Sequence, residues 1–351
     1  MSTVYDLSFD ELSSRVVALG EPSFRARQVW RQLWERGVPY ERMADVPREL
    51  RGRLAASIPV GIEVLAVREA DRGATRKALL RVGGEHVVET VLMGYRGRVT
   101  VCVSSQVGCA MGCGFCATGQ MGLRNNLTAG EIVAQVVWAR SAAAELPTTT
   151  PRRLTNVVFM GMGEPLSNER HTFAALERIT DPGALGIGDR HITMSTVGVV
   201  PGIERLGERF PQVGLAVSLH ASTDELRDEL VPVNRLWPLA VLEDAVAAWR
   251  ERTHRRPSIE WAMIDRTNDS EEQAERLVPI ALRLHAHVNL IPLNPTPGWP
   301  TAPSSKSAIG RFVAVLEDAG VAVTVRDTRG REIDAACGQL YHELEPTVAA
   351  G

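Results

Sequence analysis

Three cysteines, Cys109, Cys113 and Cys116, stand together in the run Gly108-Cys109-Ala110-Met111-Gly112-Cys113-Gly114-Phe115-Cys116. Thiolates are the ligands of iron–sulfur clusters, and a four-iron cluster ordinarily takes four of them. Three leave one iron open, so that a small molecule can bind the metal directly. The competing chemistries fit less well. A structural zinc site takes four ligands, often as two separated pairs, and no second pair follows here. A disulfide framework is typical of short secreted chains, whereas this chain has 351 residues and five cysteines.

Other candidates lie near strand ends. Gly161-Met162-Gly163-Glu164-Pro165 follows a predicted strand. Glycines such as Gly163 let the backbone approach a ligand closely, and the Glu164 carboxylate could accept from an ammonium group. Taken alone, the run reads more readily as a turn. Ser195, Ser218, His220 and Asn294 fall at or just past strand ends, the edge of a parallel sheet where ligands bind. Any one of them alone would serve a turn. Cys102 and Cys337, taken singly, read as small buried apolar residues. Cys337 lies in a glycine-bearing loop, and Cys102 precedes the three-cysteine run by seven residues, so both are expected near the cluster. Glu89 sits in a strand between Val88 and Thr90, where alternation could turn it to solvent.

The elements that must hold these residues alternate. Strands are predicted over Thr100–Ser104, Asn156–Met160, His191–Thr196, Gly214–Leu219, Ser258–Ile264 and His287–Pro292, with helices between them. Thr128 with Glu131 writes a capping box, and Ser270 with Gln273 opens another helix in the same way. Six apolar, β-branched strands joined by helices predict an α/β fold. Its parallel sheet curls as a partial (β/α)6 barrel, with too few strands to close like an eight-stranded one.

Residues 1–58 carry Leu12, Val16, Val17, Val29, Leu33 and Trp34 at helical spacing, which predicts an N-terminal helical domain. Its segment Ser23–Trp34 interleaves Arg25, Arg27 and Arg31 with aromatics. It presents either an arginine stripe to phosphates, with Trp30 and Trp34 inward, or a solvated face. Residues 59–97 read as a small antiparallel sheet of Ile62–Val67, Lys77–Val82 and His86–Met93, with turns at Gly73 and Gly83-Gly84. The barrel region spans 98–340 and includes a proline-rich loop over 292–306, a candidate active-site loop. A helix over Ser307–Ala319, stopped by Gly320, and a strand over Val321–Val325 follow, and 341–351 is a tail.

Composition bounds the partners. Hydrophobic residues make up 44% of the chain, the net charge is −3 and the pI is about 6.3. That is not the global signature of a nucleic-acid binder, although a local basic face suffices. Of 39 basic residues only Lys77 and Lys306 are lysines. Base composition explains that bias as well as phosphate recognition does. No apolar run is long enough to span a membrane, and the N-terminus lacks the pattern of a signal peptide. A cluster needs reduced thiols, so the cytoplasm is the expected address.

The cysteine spacing, with Phe115 before the last cysteine, resembles the radical S-adenosylmethionine (SAM) enzymes. That resemblance implies a 4Fe–4S cluster on Cys109, Cys113 and Cys116. Its open iron chelates SAM, and an electron from it splits SAM into methionine and a 5′-deoxyadenosyl radical. Further stretches carry a narrower resemblance: Phe24-Arg25-Ala26-x-Gln28, Val88-Glu89-Thr90-Val91, Cys102-Val103-Ser104-Ser105-Gln106-Val107-Gly108-Cys109, Gly161-Met162-Gly163-Glu164-Pro165-Leu166, Ser218-Leu219-His220-Ala221 and Ala336-Cys337-Gly338-Gln339-Leu340. Over almost the whole chain, in order, they resemble the dual-specificity ribosomal and transfer RNA adenine-C2 methyltransferases.

This narrower resemblance implies an RNA-contacting N-terminal domain. It also implies SAM contacts at Gly163, Glu164, Ser195, Ser218, Leu219, His220 and Asn294. Adenine C2 has no lone pair to attack a methyl group, and the family takes a detour. Cys337 receives a methyl from one SAM, and the radical from a second abstracts hydrogen from that S-methyl group. The carbon radical then adds to C2. Glu89 accepts the proton, a role Cys102 could share. Cys102 attacks the thioether sulfur, leaving a transient Cys102–Cys337 disulfide. The implied partners are 23S rRNA, tRNA and an electron donor such as flavodoxin or ferredoxin, with a monomeric enzyme.

The nearest rival, methylation at adenine C8 of the same rRNA with antibiotic resistance, shares nearly every residue named. A radical SAM enzyme with a non-RNA substrate is more distant. A non-enzymatic iron–sulfur carrier or RNA-binding module is opposed by the Gly-Glu-Pro segment and the two extra cysteines.

Overall fold

Ten strands form one continuous sheet in the computed structural model, which describes residues 3–147, 151–296, 298–299, 302–326, 330–335 and 338–340. The chain enters through helices α1 (Phe9–Ala18), α2 (Phe24–Trp34) and α3 (Arg48–Ser57). It then lays down β1 (Ile62–Ala70), β2 (Thr75–Val82) and β3 (His86–Gly94) as an antiparallel meander. β3 pairs antiparallel with β4 (Val99–Cys102), so the meander extends the barrel sheet directly. A separate two-stranded pair, β5 (Gln106–Val107) with β6 (Asn125–Asn126), brackets the cysteine loop and the short α4 (Ala117–Gln120).

From β4 onward every neighbour is parallel: β7 (Asn156–Phe159), β8 (Ile192–Thr196), β9 (Gly214–Ser218), β10 (Ser258–Met263), β11 (His287–Pro292) and β12 (Val323–Val325). The six predicted barrel strands are therefore present, and the strand expected over Val321–Val325 forms as β12, a seventh at the edge. Among the described residues the two ends of the strand order are not bonded to each other, so the barrel they form is open. Its helices are α5 (Ala129–Ala143), α6 (Glu169–Thr180), α7 (Val200–Arg209), α8 (Asp224–Leu230), α9 (Leu239–Thr253), α10 (Glu271–Leu284) and α11 (Lys306–Asp318).

α5 shows how the N-terminal region docks. Its capping box forms as predicted, Thr128 accepting from Glu131 N and Glu131 from Thr128 N. Ile132, Val133, Val136 and Val137 are all buried, because the helix lies between the sheet and the N-terminal helices. Asp6 Oδ1 accepts from Gly130 N (2.6 Å) and Arg140 donates to the Trp34 carbonyl (2.9 Å), so both ends of α5 are tied to the entering chain. Trp34 is fully buried against Tyr5, and Trp30 packs on Phe9. Arg31 pairs with Asp45 (3.0 Å) and Arg25 donates to Gln28 (2.8 Å); Arg27 and Arg31 are the exposed arginines of the expected stripe.

The second capping box forms only in half. Ser270 caps α10 by accepting from Gln273 N, but Gln273 Oε1 instead accepts from the Ser222 hydroxyl (2.7 Å) and amide (3.2 Å). The loop after β9 offers two donors where the helix start offers one. Among the described residues no helix is long and apolar enough to cross a membrane.

Candidate active site

The cysteine loop and the C-terminal ends of the parallel strands enclose one cavity. The β5–β6 pair pinches that loop, with Cys109 N donating to the Gly122 carbonyl (3.1 Å). The turn requires Gly108. Its φ is +73°, and a Cβ there would sit 1.8 Å from the Gly122 oxygen.

Cys109, Cys113 and Cys116 all line the cavity as free thiols. Burial pushes the Cys109 thiol up to about 12 and drives Cys113 and Cys116 upward too. Opposing it, the amides of Met111 and Glu164 bond toward Cys109, and the amides of Thr118 and Gly119 toward Cys116. Donors aimed at sulfur stabilise thiolates bound in a cluster, so the loop fits that group. Among the described residues no three His, Cys, Asp or Glu side chains converge on a single ion. Thiolates that each bind a different iron need not converge.

Opposite the cysteines lies the segment after β7. Gly163 has φ +100°, and a Cβ there would meet Gln106 Cβ at 2.5 Å, so the close packing demands glycine. Gln106 Oε1 in turn accepts from Glu164 N (2.8 Å). The buried Glu164 carboxylate accepts from Leu166 N (3.0 Å) and from Val197 N (2.9 Å), tying the segment to the end of β8. Burial nevertheless pushes its carboxyl up to about 7. A ligand ammonium in the cavity would draw it back down.

The strand ends complete the wall. Ser195 and Ser218 face each other with hydroxyls 3.5 Å apart, and Asn294, 3% exposed, lines the cavity just past β11. His220 is buried with φ +63°, packs edge-on to Phe115 (4.8 Å), and accepts from Ala262 N through Nδ1 (3.0 Å). Burial lowers its pKa to about 3. A neutral ring whose Nδ1 accepts carries its proton on Nε2. Leu219, by contrast, does not line the cavity. Its side chain joins the core, and its amide donates to the Glu260 carbonyl (3.1 Å).

Sequence reasoning missed Arg227 on α8, which is completely buried. It donates to the carbonyls of Val197 (2.5 Å) and Leu219 (3.1 Å) and to Asn234 Oδ1 (2.8 Å), fixing the ends of β8 and β9. Asn234 passes that charge on to Asp224 (2.9 Å) and Asp228 (2.7 Å). Burial lowers the Arg227 pKa to about 10.

The remaining candidates lie along β3 and β4. Glu89 does not face solvent. It is 4% exposed, and its carboxylate pairs with Lys77 Nζ (2.7 Å). Its carbonyl accepts from Ser104 Oγ (2.7 Å) and its amide donates to Met162 Sδ (3.4 Å). Cys102, at the end of β4, is buried and lines an adjoining cavity that shares Met160, Ile291 and Leu340 with the first. The implied disulfide would join Cys102 to Cys337. Cys337 lies outside the described residues. Its described neighbours Gly338 and Leu340 line the cysteine cavity, with Gly338 O accepting from Ala117 N (2.8 Å) and Leu340 O from Thr118 Oγ1 (2.7 Å).

Comparison with known proteins matches this geometry. The radical SAM superfamily model matches residues 103–278, and the model for the ribosomal RNA large subunit methyltransferase N-terminal domain matches residues 3–60. A probable dual-specificity RNA methyltransferase RlmN from Salinispora tropica is 52% identical over 93% of this chain and 89% of its own length. Its counterpart from Thermobifida fusca is 51% identical over 95% of this chain and 93% of its own. The crystal structure of a radical SAM methyltransferase from Sphaerobacter thermophilus superposes with a TM-score of 0.91 at 46% identity, covering 98% of this chain and 100% of that one.

Proposed function

This chain belongs to the RlmN family of radical SAM methyltransferases, and on that premise we propose that it methylates C2 of adenosine in RNA. Its substrates on this reading are an adenosine in the peptidyl transferase region of 23S rRNA and adenosine 37 of some tRNAs, with two SAM consumed per turnover. The observation that carries it is the single cavity in which the three thiols and Glu164 meet Gly338 and Leu340, the residues that follow Cys337.

A cluster held by Cys109, Cys113 and Cys116 supplies, when bound, the electron that cleaves SAM. This chain's own side chains do the rest. Each Glu164 oxygen accepts one amide, the Thr196 hydroxyl bonds to the same carboxylate, and one lone pair is left for the SAM ammonium. Gly163 lets the segment pack tightly on Gln106, while Ser195, Ser218, Asn294 and His220 Nε2–H border the remainder of SAM; Leu219 fixes the end of β9 through its backbone bonds to Glu260 and Arg227. Cys337 takes a methyl and releases its thiol proton. Once that carbon has joined C2, Glu89 takes the ring proton, and the adduct's unpaired electron would return to a cluster held by Cys109, Cys113 and Cys116. Cys102 then attacks the Cys337 sulfur, breaking its carbon–sulfur bond and forming a disulfide. The released carbon picks up a proton to become the methyl group, and an external dithiol reduces the disulfide.

Residues 1–58 contact RNA, 59–97 join them to the catalytic barrel over 98–340, and 341–351 form a tail. The enzyme works as a cytoplasmic monomer supplied by a small electron carrier such as flavodoxin or ferredoxin. Nucleoside mass spectrometry on a modified rRNA fragment and a tRNA pool tests this reading. 2-Methyladenosine is expected. 8-Methyladenosine would assign the C8 reaction, and SAM cleavage without RNA methylation would overturn the RNA substrate.

A further inference from the structure

All but two of the 39 basic side chains are arginines, yet the cation buried within the meander is a lysine, Lys77, 6% exposed. The strand registers place Arg68, Lys77, Val91 and Cys102 in one cross-strand row and Ala66, Leu79 and Glu89 in the next. Rows two residues apart share a sheet face, and diagonal neighbours across a strand pair are within reach of long side chains. Lys77, Glu89 and Cys102 therefore stand on one face. Lys77 Nζ lies 2.7 Å from Glu89 Oε1 and 3.2 Å from the carbonyl of Asp334, three residues before Cys337. The Glu89 backbone is itself held by Ser104 and Met162.

We infer that Lys77 is a positioning residue: its ammonium keeps the Glu89 carboxylate ionised and aimed, and pins the loop leading to Cys337 through the Asp334 carbonyl. This inference rests on the reading of Glu89 as proton acceptor. An ammonium is compact and sends donors in several directions, so it can serve a carboxylate and a carbonyl on different elements at once. A guanidinium is bulkier and holds its donors fixed in one plane. Among the described residues the other charged or titratable groups on this face are Arg68 on β1, which is exposed, Cys102 on β4 and Asp334 in the loop. A base paired with a buried cation stays ionised to lower pH, so losing the cation moves the acidic limb of the proton-transfer step to higher pH.

The test uses full-length, anaerobically reconstituted enzyme with reductant, SAM and an rRNA fragment. It follows decay of the covalent RNA–protein species on denaturing gels from pH 6 to 9. Lys77→Met, Lys77→Arg, Glu89→Gln and Lys77→Met/Glu89→Gln are compared at equal iron content and 5′-deoxyadenosine yield. Lys77→Met is expected to slow decay about tenfold at pH 7, with its acidic limb moved to higher pH, whereas Lys77→Arg keeps the wild-type limb. In the Glu89→Gln background Lys77→Met adds less than about twofold, because the two act as one unit. Equal slowing by Lys77→Met in both backgrounds, or an equal limb shift in Lys77→Arg, overturns the inference. If Glu89→Gln slows decay and Lys77→Met does not, the Glu89 reading stands and the inference alone falls. If Glu89→Gln leaves decay unchanged, the Glu89 reading falls first and the inference with it. Should Lys77→Met not fold, Lys77→Gln, which keeps a donor for Asp334, carries the same comparison.

Discussion

The guanidinium of Arg227 reaches from α8 to the Val197 carbonyl at 2.5 Å, and Glu164 accepts from the amide of that same residue at 2.9 Å. One peptide segment past β8 is thus held from both sides, by a buried cation on its oxygen and a buried carboxylate on its nitrogen. Arg227→Leu removes the donors of the Val197 carbonyl, of the buried Leu219 carbonyl and of Asn234. A buried acceptor left without its donor costs roughly 1–3 kcal/mol, so a loss on the order of 3 kcal/mol or more is expected, read as a large fall in the thermal midpoint. Arg227→Lys should recover little of it, since one ammonium cannot span partners on three segments.

Gly163→Ala tests the wall opposite the cysteines. The added methyl meets Gln106 Cβ at 2.5 Å in a backbone of φ +100°, so the segment must shift. SAM binding by calorimetry is expected to weaken at least about tenfold while reconstituted iron content stays near wild type. Unchanged affinity would show that this backbone does not border the SAM site.

His220 gives the fold an acid-sensitive point. Its folded pKa is lowered to about 3 by burial, against an unperturbed value near 6.5. Between those values the unfolded chain binds a proton that the folded one refuses, so stability is full above pH 6.5 and falls as pH drops toward 3. The slope from this group approaches about 1.4 kcal/mol per pH unit. His220→Gln is expected to flatten that part of the urea-midpoint profile, and an unchanged profile would contradict it.

Substituting any one of Cys109, Cys113 and Cys116 by alanine should abolish reconstituted iron binding and SAM cleavage together. Chelating the iron from the wild type should abolish cleavage in the same way. Iron content by absorption and elemental assay decides it, and near-stoichiometric iron in any of the three variants would exclude that cysteine as a ligand.

The parts of this architecture legible in the sequence were those written in local pattern. Cysteine spacing, six apolar strands and the Thr128 capping box each lie in a short window of chain. What was not legible depends on register or on distant partners. Arg227 in Asp224-Glu225-Leu226-Arg227-Asp228-Glu229-Leu230 reads as one more surface charge until α8 folds over β8 and β9. Glu89 could face either side of its strand; only the pairing of Leu79 with Glu89 and of Lys77 with Val91 puts the lysine diagonal to it. One signal was available, the rarity of lysine, which singles out Lys77 among so many arginines. Gln273 misled because a side chain with two uses takes the partner that tertiary packing supplies, here Ser222.

The most direct measurement supplies SAM bearing a fully deuterated methyl group and weighs the methyl delivered to RNA. Carriage on Cys337, loss of one methyl hydrogen to the radical and return of one proton from water should leave two deuteriums at adenine C2, with no methylation in Cys337→Ala. A methyl that keeps all three deuteriums, or one that still arrives in Cys337→Ala, would contradict the reaction assigned to this site.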